Sequence, residues 1–151
     1  MNRQQRGYTL LELVAAVMIL GILSAMAVAA YNQYVERARV ARAISDIGNI
    51  HLAIQEYLTK ERRGYPESLA ELGLDNLIDP WGNPYKYLVV NGLGNNGAVR
   101  KDKNMIPVNR SYDVYSMGKD GDSASPFNST VGGDDVVLAG DGTYFGLAAD
   151  F

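Results

Sequence analysis

The chain has 151 residues, a formal net charge of −3, a pI of about 5.1, no cysteine and a single histidine. That length holds one compact domain plus a membrane segment, and hardly two domains. The acidic balance argues against a nucleic-acid partner, the missing thiols exclude a disulfide framework and thiolate metal sites, and one histidine argues against His-based catalysis.

A short basic leader, MNRQQRG, carries Arg3 and Arg6 and precedes an uncharged run from Leu13 to Val35. At about 1.5 Å per residue, roughly 20 helical residues span a hydrocarbon core, so this run is long enough to cross a membrane. A cleaved secretory signal is the competing reading, since Ala25, Ala27, Ala29 and Ala30 could mimic its small-residue cleavage site. Against it, the run flows unbroken into a helix-forming sequence, and Glu12 interrupts its start. Arg3 and Arg6 on one side are balanced by Arg37, Arg39 and Arg42 on the other, so charge leaves the orientation open.

Beyond the apolar run, Val40, Ile44, Ile47, His51, Ile54 and Leu58 recur at helical spacing, with Arg39, Arg42, Asp46, Asn49, Gln55 and Glu56 opposite. No proline falls between Gly7 and Pro66. The pattern therefore predicts one helix from about Tyr8 to Thr59, apolar all round over 8–35 and an amphipathic stem over 36–60. Gly21 and Gly48 weaken it by about 1 kcal/mol each relative to alanine. KERRGYP should end it, with basic residues in the last turn, Gly64 free to take a left-handed cap and Pro66 blocking continuation.

SLAELG then reads as a short helical turn capped by Ser68, with Glu71 three residues on. Asp79-Pro80-Trp81-Gly82-Asn83-Pro84 reads as two tight turns. Tyr85–Val90 and Tyr112–Ser116 have strand composition, separated by the glycine- and asparagine-rich NGLGNNGAVRKDKN. Trp81, Tyr85 and Tyr87 are expected to pack the sheet on the stem, and His51 to be a core histidine. The remainder, from Met117 on, reads as acidic, glycine-rich loop. The fold class is α+β: a long N-terminal helix on a small antiparallel sheet, with the head over 61–151 and an acidic loop over 117–142.

GYTLLEL, with Gly7 before an aromatic and Glu12 fifth from Tyr8, resembles the prepilin signature of the type IV pilin superfamily. The resemblance implies that 1–7 is a leader cut after Gly7 by a membrane peptidase, with methylation of the new N-terminus at Tyr8. DPWGNPYKYL at 79–88, YDVYSMGKDG at 112–121 and GGDD at 132–135 are similar to the head of the major pseudopilin of type II secretion. That family is stapled by one Ca2+ ion in place of a disulfide loop. The chain departs from the family pattern at Ala29, where proline is usual, and in the longer loop between Gly121 and Gly132. The tail after Val137 has no counterpart in it.

Glu12 is the most pointed residue in the anchor, because a lone carboxylate in hydrocarbon costs a few kcal/mol and calls for a partner. After cleavage the amine of Tyr8 is a cation, and a neighbouring subunit shifted along a filament can bring it to Glu12. The resemblance implies the same pairing. The alternative is that Glu12 snorkels at the membrane edge.

Calcium takes about six to eight oxygens from carboxylates and carbonyls in a flexible loop, and the acidic loop offers such groups. On resemblance the ligands are Asp120, Asp134 and Asp135 with the Met117 carbonyl; adjacency adds Asp122. The alternative is a solvated acidic loop without metal.

The expected protein is a non-enzymatic filament subunit, single-pass in the bacterial inner membrane with its head in the periplasm. Its partners are further copies of itself, the prepilin peptidase, minor pseudopilins, the inner-membrane assembly platform, and lipid before assembly. One alternative is a type IV pilus subunit for adhesion, motility or DNA uptake. Another is a membrane-anchored periplasmic enzyme or calcium-dependent binding module.

Overall fold

The computed structural model describes residues 7–61, 64–90, 98–103 and 105–151. The basic leader up to Arg6, the Arg62–Arg63 pair and the glycine-rich stretch 91–97 lie outside the described residues.

One helix, α1, runs Leu10–Glu61, starting and ending two residues later than expected. Its surroundings change at Arg37–Ala38, where the chain divides into two compact units. In the first unit the helix is exposed on every side: Leu10, Ile19, Ile22, Met26 and Val28 all face outward. This half is long and apolar enough to cross a membrane. In the second unit one face is fully buried, through Ala43, Ile47, Ile50 and Ile54. Val40, Ile44 and Leu58 pack around that stripe. Ala43 and Ile50 extend the predicted face, while Asp46 and Gln55, expected opposite it, flank it and bond to the sheet.

Gly64 has φ of 97°, a left-handed turn open to glycine. Leu69–Leu72 is a single 3-10 turn whose N-terminal Ser68 makes no side-chain capping bond. Glu71, expected to complete that cap, accepts instead from the Tyr57 hydroxyl at 2.8 Å.

The head carries a four-stranded antiparallel sheet in the order β1-β2-β3-β4. The strands are β1 (Lys86–Val89), β2 (Tyr112–Ser116), β3 (Val136–Ala139) and β4 (Tyr144–Leu147). Lys86 stands opposite Tyr115, Tyr115 opposite Val137, and Val137 opposite Gly146. Half of this sheet comes from the tail that the sequence analysis reads as loop. Val136–Ala139 is a short apolar run buried on both faces, and Gly140-Asp141-Gly142 turns it into β4 with positive φ at all three residues.

Side-chain alternation along the strands makes two cores. Toward α1, Tyr112, Val114, Val136 and Leu138 meet Ile47, Ile50 and Ile54, joined by Leu69 and Tyr85, with Trp81 and Tyr87 at the edge. On the other face Val137 and Ala139 meet Val108, Phe127 and Ala148. Polar ties fix the stem to the sheet: the Tyr85 hydroxyl donates to Asp46 at 3.0 Å, and Gln55 donates to the Tyr112 hydroxyl at 3.1 Å. The loop before β1 folds around Asp79, whose Oδ1 accepts from the backbone N–H of Trp81 and Asn83 while Oδ2 accepts from Ser116.

Candidate assembly site and acidic loop

At the start of α1, Gly7, Tyr8 and Thr9 precede the helix and are exposed, and Leu10 is the first helical residue. Thr9 is the N-cap. Its backbone N–H and its hydroxyl both donate to Glu12 Oε2 at 2.9 Å, and its oxygen accepts from the Glu12 N–H at 3.2 Å. This is a reciprocal capping box, which satisfies backbone donors that the first turn leaves open. The Glu12 carboxylate thus has a neutral partner three residues away in its own chain. A neutral cap leaves its charge uncompensated, and no donor among the described residues reaches Oε1. The Thr-x-x-Glu spacing is the signal for this cap in the sequence. Tyr8, the other residue assigned to assembly, is 91% exposed.

The acidic loop leaves β2 at Met117, which is half-buried, and returns at Asp135, which is buried. Gly118 holds φ of 65°, and a Cβ there would lie 2.4 Å from the Asp134 carbonyl oxygen. Only glycine fits this close approach. Asp134 Oδ2 accepts from the backbone N–H of Lys119 at 2.8 Å and of Asp120 at 3.2 Å. Asp120 Oδ1 accepts from the N–H of Asp122 at 2.9 Å. Asp120 and Asp122 are exposed.

Asp135 turns the other way, into the head. Its Oδ2 lies 3.0 Å from Arg100 Nη2 and accepts from the Ser123 hydroxyl at 2.5 Å. Arg100 Nη1 donates to the Ala124 carbonyl at 2.5 Å, and Nη2 also donates to the Ser123 hydroxyl oxygen. The guanidinium stacks 3.5 Å over the Tyr115 ring. Both charged residues are buried, and Arg100 Nε and Asp135 Oδ1 have no partner. Burial pushes the Asp135 carboxyl up to about 6, opposed by Ser123 and Arg100 and reinforced by Asp134 and Asp120. Neither Arg100 nor Ser123 was a site candidate in the sequence: an arginine beside a glycine-rich stretch reads as solvated, and its partner is remote along the chain.

Asp120, Asp134 and Asp135 lie near enough that the first two raise the carboxyl of the third. Among the described residues no three Asp, Glu, His or Cys side chains converge as a metal ion requires. Asp134 Oδ2 is engaged by backbone N–H donors, and Asp135 already serves a buried cation.

The prokaryotic N-terminal methylation motif matches residues 2–28. The type II secretion system core protein G of Pseudomonas aeruginosa is 31% identical over 143 residues, covering 80% of this chain and 87% of that protein. The core protein G of Aeromonas hydrophila is 30% identical, covering 82% and 90%. The type IV major fimbrial protein FimA of Dichelobacter nodosus is 31% identical, covering 83% of this chain and 76% of that protein. No solved structure matches the chain significantly.

Proposed function

Because the chain belongs to the family of the type II secretion system core protein G, within the type IV pilin superfamily, we propose that it is the structural subunit of a secretion pseudopilus. The N-terminal apolar helix and the methylation motif are consistent with anchoring in the inner membrane. The prepilin peptidase removes the leader after Gly7, Tyr8 is methylated, and subunits leave the lipid to build a helical filament that drives protein export. The head faces the periplasm. Its role is assembly and not catalysis, in contact with minor pseudopilins and the assembly platform.

The observation that carries this reading is the first half of α1. It exposes apolar side chains all round and places at its start a cap-bound Glu12 with no cationic partner among the described residues. Lipid satisfies the apolar surface of a single subunit; only a cation satisfies the carboxylate. The freshly exposed Tyr8 amine of a neighbour supplies one, and its N–H bonds can go to Oε1 while Thr9 holds Oε2. One subunit's amine on the next subunit's carboxylate is a head-to-tail contact, which does not close and so propagates an open helix.

Mass spectrometry of the mature N-terminus is the direct test: a methylated Tyr8 is expected, and a retained leader in living cells overturns the reading. Glu12→Ala is expected to insert in the membrane and lose filaments, seen by shearing and electron microscopy. The long match to a major fimbrial protein supports a second reading, a type IV pilus subunit. A chromosomal deletion separates them: loss of secretion with motility intact favours the pseudopilus, and the converse favours the pilus.

A further inference from the structure

We propose that the Arg100 guanidinium is the cation that closes the 117–135 loop onto the sheet, in place of the calcium ion that the family resemblance implies. This goes beyond the filament reading and does not rest on it. Of the donors assigned to calcium, Asp135 is already spent on this arginine, which also takes the Ser123 hydroxyl and the Ala124 carbonyl. Asp135 Oδ2 and the Ser123 hydroxyl face Nη2, and the Ala124 carbonyl faces Nη1. The fork thus joins the rising limb of the loop, at 123–124, to its return at Asp135.

The arginine is itself fixed at three points. Its backbone N–H donates to buried Asp113 Oδ2 at 2.8 Å, its carbonyl accepts from Val108 at 2.9 Å, and its charged plane lies on Tyr115 of β2. The neighbouring chain binds the loop as well: Lys101 N–H donates to the Ser125 carbonyl and Phe127 N–H to the Lys101 carbonyl, each at 2.9 Å. Two dentate N–H pairs, a planar stack and a fixed backbone suit a guanidinium and not a rotating ammonium. A divalent ion sharing the same carboxylate would sit against a buried positive charge with little water to screen it.

The test uses the full chain in detergent micelles, melted by circular dichroism with excess EGTA and with millimolar calcium chloride, alongside limited proteolysis. The wild type is expected to melt at the same temperature in both and to resist cleavage between 118 and 134. Arg100→Gln is expected to melt lower by about 10 °C or more and to be cut in that loop, since it strands a buried carboxylate. Arg100→Lys should fall between, keeping charge but losing the fork. A wild-type melting point that drops several degrees in EGTA, or an Arg100→Gln protein that melts like wild type, overturns the proposal. Should Arg100→Gln not fold, the wild-type EGTA comparison and calcium titration calorimetry decide: saturable calcium binding that raises the melting point overturns it, and its absence upholds it.

Discussion

The two halves of α1 share a secondary structure and little else. From Leu10 to Tyr34 every side chain is exposed; from Ala38 to Leu58 one face is closed by a sheet. Leu10 is 82% exposed and Ile47 fully buried. A helix needs something to bury its apolar surface, because isolated helices are marginal in water. The stem finds it within the chain. The anchor must find it outside, first in lipid and then in copies of itself. The molecule is complete in one half and waiting in the other.

The largest effect that tests this contrast comes from truncating one buried and one exposed side chain of the same kind. Ile50→Ala empties space between α1 and the sheet and should cost about 2–5 kcal/mol, read as a lower melting temperature of the head. Ile22→Ala, in the exposed half, should leave that transition where it is. Equal shifts would mean that the anchor packs on its own chain. Next in size is Gly118→Ala. A side chain at its positive φ meets the Asp134 carbonyl, so a loss of about 1–3 kcal/mol is expected. Gly21→Ala, with open space around it, should leave the head's transition unmoved.

The stem was legible because a 3.6-residue period needs only neighbouring residues, and the first two strands because they are rich in aromatic and β-branched residues. Val136–Ala139 and Tyr144–Leu147 were not, since four apolar residues between acids and glycines carry too little local pattern to outweigh the turn chemistry around them. Their pairing with β2 and with each other makes them strands. The same limit hid Arg100, whose role depends on Asp135 and Ser123 arriving from a distant segment. Capping patterns show both outcomes. Thr9-x-x-Glu12 forms its box because nothing competes for the glutamate, whereas Ser68-x-x-Glu71 loses its glutamate to Tyr57 on the stem.

A smaller effect isolates the cap from the charge. Thr9→Ala removes the hydroxyl but leaves the Glu12 carboxyl in place, and should cost about 1 kcal/mol of helix start. Filament yield is expected to fall less than for Glu12→Ala. If both variants lose filaments equally, then Glu12 acts through its cap and not through its charge.

The smallest effect concerns the stem alone. His51 shares a 2.8 Å hydrogen bond with the Tyr112 hydroxyl and stands edge-on to Phe145. Gln55 already donates to that hydroxyl, so its proton is left for Nδ1, which suits a neutral imidazole. Burial holds His51 below its ordinary value, near 6.5 in an unfolded chain, so the unfolded state binds more protons as pH falls from about 6.5 toward the folded value. Stability from this residue is present above that window and lost as pH falls through it. Asp113 and Asp135 pull the other way, because burial raises both and their protonated forms favour the folded head. The measurement is therefore a difference, the melting temperature of wild type minus that of His51→Gln at each pH from 7.5 to about 5, in which the carboxylates cancel to the extent that distant sites add. That difference should shrink on acidification. A flat line would place the imidazole in water, and with it that edge of the stem.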